Sequence, residues 1–326
     1  MNVYICPPVL SLITQVPISE LSVFPLGAVG CCAACAVPPP SLANVGAFVR
    51  SYVVGFDDSR MPWVVGHLDA NAIWALDYGD IRITDEFRMA LDHMEYMAEK
   101  LDGTGVLVYP PDLQGPFDIA HIVFGDEIFY AMYDDPKLVH HLLDLCVCAI
   151  KLGMDESLKV IPRSDELLAH YSSLVMPRSL GGIKLSEDTT TLINAEQMDE
   201  FAVPYTAKIL DYFGGGYIHY CGKNDLLFER ITGLDKAHGL NFGNPEKHDM
   251  DNALRNMAER GLCYYGWMPM PENEDYEAYF RRVIGSATVG GRRRLLLELN
   301  VPYSERGRVS EVWEDVTEKY QENDEY

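Results

Sequence analysis

From residue 182 onward the chain repeats one phrase: a short apolar run, a loop rich in Gly, Asn and Asp, and then a capped amphipathic helix. Gly182–Ser186, Tyr217–Cys221, Gly239–Gly243, Leu262–Trp267 and Arg293–Leu299 are the apolar runs, each short enough and bounded closely enough to read as a buried strand. Helices are predicted after the first four, ending near 213, 232, 260 and 285, and an acidic closing helix from 309. Asn194 with Gln197 makes a capping box for the first of them, and Gly261 stops the third. The glycine run 214–216 reads as a helix-to-strand turn. Upstream, Gly105–Tyr109 is a further candidate strand, and Asp134-Asp135-Pro136 opens a helix over 136–152, with Cys146 and Cys148 on it as core residues. Alternation of this kind demands a parallel sheet with helical crossovers.

Two architectures satisfy that demand, a (β/α)8 TIM barrel and an open doubly wound sheet. No G-x-G-x-x-G follows the first strand, and polar residues gather at the C-terminal ends of nearly every strand. The expected fold is therefore a single α/β barrel over 61–326, with residues 1–60, rich in Pro and containing one helix near 41–54, as an irregular N-terminal extension or cap.

Charge and hydropathy narrow the function. Asp and Glu number 49 against 26 Lys and Arg, a net charge of −23, and the one basic run is Arg292-Arg293-Arg294, which reads as a solvated strand entrance. Nucleic acid is not expected as a partner, since phosphate binding needs clustered cations. A hydrophobic fraction of 48% excludes general disorder, and no run of 18 apolar residues suggests a membrane span. The N-terminus lacks a basic n-region, so a cytoplasmic location is expected and the eight cysteines read as thiols. Cys31, Cys32 and Cys35 fall in a Gly/Ala/Pro-rich segment without a partner motif, and read as an incidental small-residue loop.

The chemistry-bearing candidates lie at strand ends. His219 and Cys221 are two apart, so they share a face of their strand, and imidazole with thiol suits a soft divalent metal, zinc above all. An ordinary buried thiol at Cys221 is the alternative. Glu187-Asp188-Thr189 places acids at a strand mouth, where a barrel builds its site. Asp112 and Gln114 either contact a ligand at the same mouth or belong to a loop that Pro110, Pro111 and Pro116 shape for conformational reasons alone, and Asn244 and His248, after the 239–243 strand, lie at that mouth or in a segment that only caps its helix. Tyr265 and Trp267 either wall a pocket or pack between strand and helix.

Asp112–Asp118, Ile183–Thr189, Ile218–Gly222 and Asn241–Asn244, taken in order, resemble the uroporphyrinogen decarboxylase superfamily, and within it the methylcobamide:coenzyme M methyltransferase-like branch. The resemblance spans about 105–305 and implies a (β/α)8 barrel with zinc on His219 and Cys221. It further implies methyl transfer from a methylated corrinoid to a thiol acceptor, with a small-molecule substrate and a corrinoid protein as partners. Where the branch has a third ligand, a Cys near the end of the last strand, this chain has none; Glu298 stands there as a carboxylate ligand, with Glu187 as the other candidate. Cys263 lies at the wrong end of its strand. Glu187, Asp112 and Asn244 are the candidate catalytic residues. The alternatives are a decarboxylase or lyase of the same superfamily, or a non-catalytic barrel binding a corrinoid or small acid. The arginine-rich N-terminal segment of the decarboxylase proper is absent: residues 1–60 hold only Arg50 and Arg60.

Overall fold

A computed structural model describes residues 53–322 apart from 58–59, 66, 84, 105–106, 111–112 and 171–173. Cys31, Cys32, Cys35 and most of the expected N-terminal extension lie outside the described residues, as does Asp112. In chain order, β1 (Val53–Asp57) and β2 (Arg60–Val65) form an antiparallel hairpin, so Val53 and Val54 are strand where a helix end was expected. Helices α1 (Ala70–Trp74) and α2 (Asp85–Lys100) follow, then the two-residue strand β3 (Leu113–Gln114). The strand expected over 105–109 is not formed in its described part, and β3 begins at Leu113, beyond Pro110, which has no N–H to give a ladder.

Helices α3 (Pro116–Phe124), α4 (Glu127–Asp134) and α5 (Pro136–Val160) pack together. Asp135 caps α5, as the sequence suggested, but the helix runs eight residues past 152. Met154 and Ser157 continue its buried stripe, and Ser157 Oγ donates to the Gly153 carbonyl at 2.8 Å. Ile161 ends it, because the residue before Pro162 is pushed out of the helical region. Cys146 is buried on this helix, and Cys148 half-buried.

The hairpin β4 (Leu167–His170) and β5 (Leu174–Pro177) leads to β6 (Ile183–Ser186). The expected helix to 213 forms in three pieces: α6 (Ala195–Gln197) with its capping box intact, a π-helical turn Met198–Ala202, and α7 (Val203–Phe213). Pro204 explains the break, since it has no N–H to continue the ladder. Thereafter β7 (Gly216–Tyr220), α8 (Asp225–Thr232), β8 (Ala237–Phe242), α9 (Met250–Glu259), β9 (Cys263–Trp267) and α10 (Tyr276–Ser286) keep the expected rhythm. The arginine run supplies the second strand of a ribbon, β10 (Thr288–Val289) with β11 (Arg292–Arg293), so β12 (Leu295–Glu298) starts two residues later than expected. Arg294 donates to the Gly261 carbonyl at 2.6 Å. Helix α11 (Arg306–Glu322) closes the chain's described part.

One six-stranded parallel sheet organises these elements, in the spatial order β3-β6-β7-β8-β9-β12. Spatial order follows chain order, with no reversal of the kind that defines a doubly wound sheet. Among the described residues β3 and β12 end the sheet. Alternation sorts its side chains. Ile183, Leu185, Ile218, Tyr220, Leu240, Phe242, Tyr264 and Leu295 join the main core with the helices. On the opposite face, Tyr217 and Tyr265 meet edge to face at 5.4 Å, under Leu174 and Met176 of β5. That hairpin covers one end of the second face, and His219 and Asn241 occupy the other. No described helix is long and apolar enough to cross a membrane.

Candidate metal centre

Three adjacent strand ends build the site. The register aligns Ser186 with His219 and His219 with Asn241, so the residues just beyond them in β6, β7 and β8 are neighbours too. Glu187 N donates to the His219 carbonyl at 2.7 Å and Gly243 N to that of Tyr220 at 2.9 Å, extending both ladders by one step.

The loop after β6 is then turned back by a buried acid. Asp118, in the first turn of α3 and 2% exposed, accepts from Asp188 N at 2.6 Å and Thr189 N at 2.8 Å. Asp188 in turn accepts from Cys221 N at 2.6 Å. As a result Cys221 Sγ lies 3.4 Å and Asp188 Oδ1 3.7 Å from His219 Nε2. Among the described residues these three bring a thiol, an imidazole and a carboxylate within 4.8 Å of one another. Tetrahedral zinc with ligand bonds of 2.0–2.3 Å separates its ligand atoms by roughly 3.3–3.8 Å. The two distances from His219 Nε2 and the donor set fit zinc.

Gly243 keeps the thiol's surroundings open: a Cβ there would stand 2.5 Å from Cys221 Sγ and 3.2 Å from His219 Cε1. Two side chains clamp the turn behind the thiol. Gly222, at φ 83°, donates its N–H to Asn244 Oδ1 at 2.9 Å, and its carbonyl accepts from His248 Nε2 at 3.1 Å. Asn244 Nδ2 also donates to Glu246 at 2.9 Å, and the His248 ring stacks on Phe242 at 4.0 Å.

Negative charge converges here. Burial, then the charge of Asp188 and its hydrogen bond, then Asp118, push the Cys221 thiol up to about 11 against the opposing pull of Lys184. Burial also lifts the Glu187 carboxyl to about 7, although the hydroxyls of Thr206 (2.5 Å) and Thr190 (2.8 Å) donate to it. Asp118 is raised well above the carboxylate range, by burial first and by Glu187 and Asp188 after it. A cation at Asp188, His219 and Cys221 would relieve all of these.

The sequence-derived candidates separate accordingly. His219 and Cys221 stand together, and the third group beside them is Asp188, which the sequence offered only as part of an acidic run. Glu298 does not join the group: it pairs with Trp267 at the end of β12, three strand spacings from β7, roughly 14 Å along the sheet. Glu187 faces the other way, against Gly115 and the two threonines, where a Cβ on Gly115 would collide with its carboxylate. Asn244 braces the Gly222 turn, and Gln114 lies level with Ser186 at the end of β3. Cys263 is at the far end of β9, its thiol pushed up to about 12 by burial. Tyr265 is buried among Tyr217 and Leu174, and Trp267 is half-exposed at the strand end. Sequence reasoning assigned no role to Asp118, Thr206 or Asn241. A lone acid in the otherwise apolar start of α3 was the signal that could have found the first; the other two follow from packing and register, which the sequence does not carry.

The fold and site define an α/β protein with a Cys–His–Asp cluster at the C-terminal ends of parallel strands. No protein-family model matches the chain, and no curated protein does. Among solved structures, a methyltransferase from Methanosarcina mazei is similar in fold, with a TM-score of 0.56 at 13% identity over 86% of this chain and 78% of that one.

Proposed function

We propose that this chain is a zinc-dependent methyltransferase of the uroporphyrinogen decarboxylase type, its sheet forming the wall of a (β/α)8 barrel over 61–326. It moves a methyl group from a methylated corrinoid, free or carried by a corrinoid protein, to a thiol acceptor in the cytoplasm. The observation that carries this reading is the meeting of Asp188, His219 and Cys221 at adjacent strand ends. Likeness in fold to a methyltransferase supports it.

Asp188, His219 and Cys221 would hold the metal, and three protein ligands leave a fourth position for the acceptor. Zinc, when bound, lowers the pKa of a coordinated thiol, so the acceptor sulfur is a nucleophile near neutral pH without a separate base. The chain's own residues prepare that position. Gly243 leaves room beside the Cys221 sulfur, and Asn244 and His248 hold the Gly222 turn so that the sulfur stays aimed at His219. Asp118 fixes the Asp188 backbone, and thereby the carboxylate that also receives the Cys221 N–H.

The test pairs metal analysis with turnover. Purified protein should carry close to one zinc per chain and methylate a small thiol from methylcobalamin, and a strong chelator or Cys221→Ser should abolish the transfer. Transfer unaffected by either treatment would overturn the reading. A lyase or decarboxylase on the same fold is the second reading, favoured by Glu187, a buried carboxyl lifted to about 7 and so suited to moving a proton near neutrality. Turnover indifferent to chelator but lost in Glu187→Gln identifies that case.

A further inference from the structure

β7, β8 and β9 lie side by side, and a chain of side-chain and backbone groups crosses them at one level. The β8–β9 pairing covers Gly239 and Leu240 and stops before Asn241. There the Tyr265 carbonyl receives the Asn241 side chain instead, Nδ2 donating at 2.7 Å. Gly266 makes this reach feasible: its φ is 130°, and a Cβ there would collide with Asn241 Nδ2. Only the NH2 end of an amide donates to a carbonyl, so the end turned toward His219 is Oδ1. That oxygen contacts His219 Nδ1, and since it can only accept, Nδ1 must carry the hydrogen. In the neutral ring, the His219 Nε2 lone pair is then directed at the thiol 3.4 Å away and the carboxylate 3.7 Å away.

We infer that Asn241 is a positioning residue: supported by the Tyr265 carbonyl and given room by Gly266, it holds His219 in the Nδ1–H tautomer and presents Nε2 as a ligand before any metal arrives. The inference that this prepares a metal site rests on the zinc reading above; the tautomer itself does not. A histidine ligand held in this way by the group behind it gains in basicity and loses orientational freedom, and removing such a group weakens metal binding about 10- to 100-fold.

Long-range proton–nitrogen correlation spectra of the metal-free protein, with the His219 signals assigned by their loss in His219→Gln, read the tautomer directly. Wild type should show Nδ1–H at neutral pH. Asn241→Leu, similar in volume but without the acceptor, should lose that preference and bind zinc alone about 10- to 100-fold more weakly at unchanged far-ultraviolet circular dichroism. Gly266→Ala, which displaces the amide while leaving Asn241 in place, should move both readouts in the same direction, and decides the matter together with the wild-type spectrum if Asn241→Leu does not fold. An Nε2–H tautomer in wild type overturns the inference, and so does wild-type zinc affinity in both variants. If wild type binds no zinc, the metal reading falls, and the tautomer shift in the two variants still decides the role of Asn241.

Discussion

Gly243 and Glu187 show how closely single residues are set at these strand ends. A Cβ on Gly243 would push on Cys221 Sγ and on the His219 ring, so Gly243→Ala should weaken zinc binding at least tenfold while leaving the thermal midpoint within a few degrees; titration calorimetry and a melting curve check both halves. Glu187 makes a prediction about pH. Its carboxyl is lifted from 4.5 to about 7 by burial, so between those values the native protein holds a proton that the unfolded chain has lost. Stability from this group is therefore fully present below about 4.5 and lost as pH rises through 7, on the order of 3 kcal/mol in all. Urea unfolding of metal-free protein at pH 5 and pH 7.5 should show a smaller loss of midpoint in Glu187→Gln than in wild type. An equal loss in both would mean that Glu187 is ionised throughout. At this scale the sequence was informative about residue pairs close in the chain, as with His219 and Cys221, which alternation alone places on one face. Asp188 was a matter of register: it reaches Cys221 only because β6 and β7 are neighbours, and because Asp118, seventy residues upstream of Asp188, turns the loop.

Elements were legible where a local rule decides them. Asn194 and Gln197 form the expected capping box, Gly214 ends α7 in the left-handed region, and α8 occupies 225–232 as expected. They were misread where two local rules compete. The apolar run 105–109 has the composition of a strand, but pairing with β6 falls to Leu113 and Gln114. The π-helical turn arises because an amphipathic pattern continues through Pro204, which the hydrogen-bond ladder cannot do. The loop from β7 to α8 carries the sharpest prediction at this scale. Asn224 Oδ1 accepts from Leu226 N and Leu227 N while Nδ2 donates to the Thr191 carbonyl, tying the cap of α8 to the loop after β6. Asn224→Ala should cost about 1–2 kcal/mol in chemical denaturation, more than Asn194→Ala, whose cap binds only its own turn. Equal costs would show that the bond to Thr191 contributes nothing.

For the molecule as a whole, the strand–helix rhythm foretold a parallel sheet, and among the described residues six strands, interrupted in the chain by the β4–β5 hairpin and the β10–β11 ribbon, form one. Strand order is a property of the assembled sheet, yet here it follows chain order, so residues at successive strand ends meet in sequence and Glu298, on β12, stands apart from those of β6 and β7. A sequence shows that carboxylates lie at strand mouths; which of them reaches a given thiol depends on sheet position. Asp188 as a ligand beside His219 and Cys221 is accordingly the claim on which the functional account turns. X-ray absorption at the zinc edge of the loaded protein tests it most directly. One sulfur is expected near 2.3 Å with nitrogen or oxygen near 2.0–2.1 Å, the sulfur shell lost in Cys221→Ser and zinc held more weakly in Asp188→Asn but not in Glu298→Gln. A spectrum without sulfur, or zinc released by Glu298→Gln and not by Asp188→Asn, would contradict it.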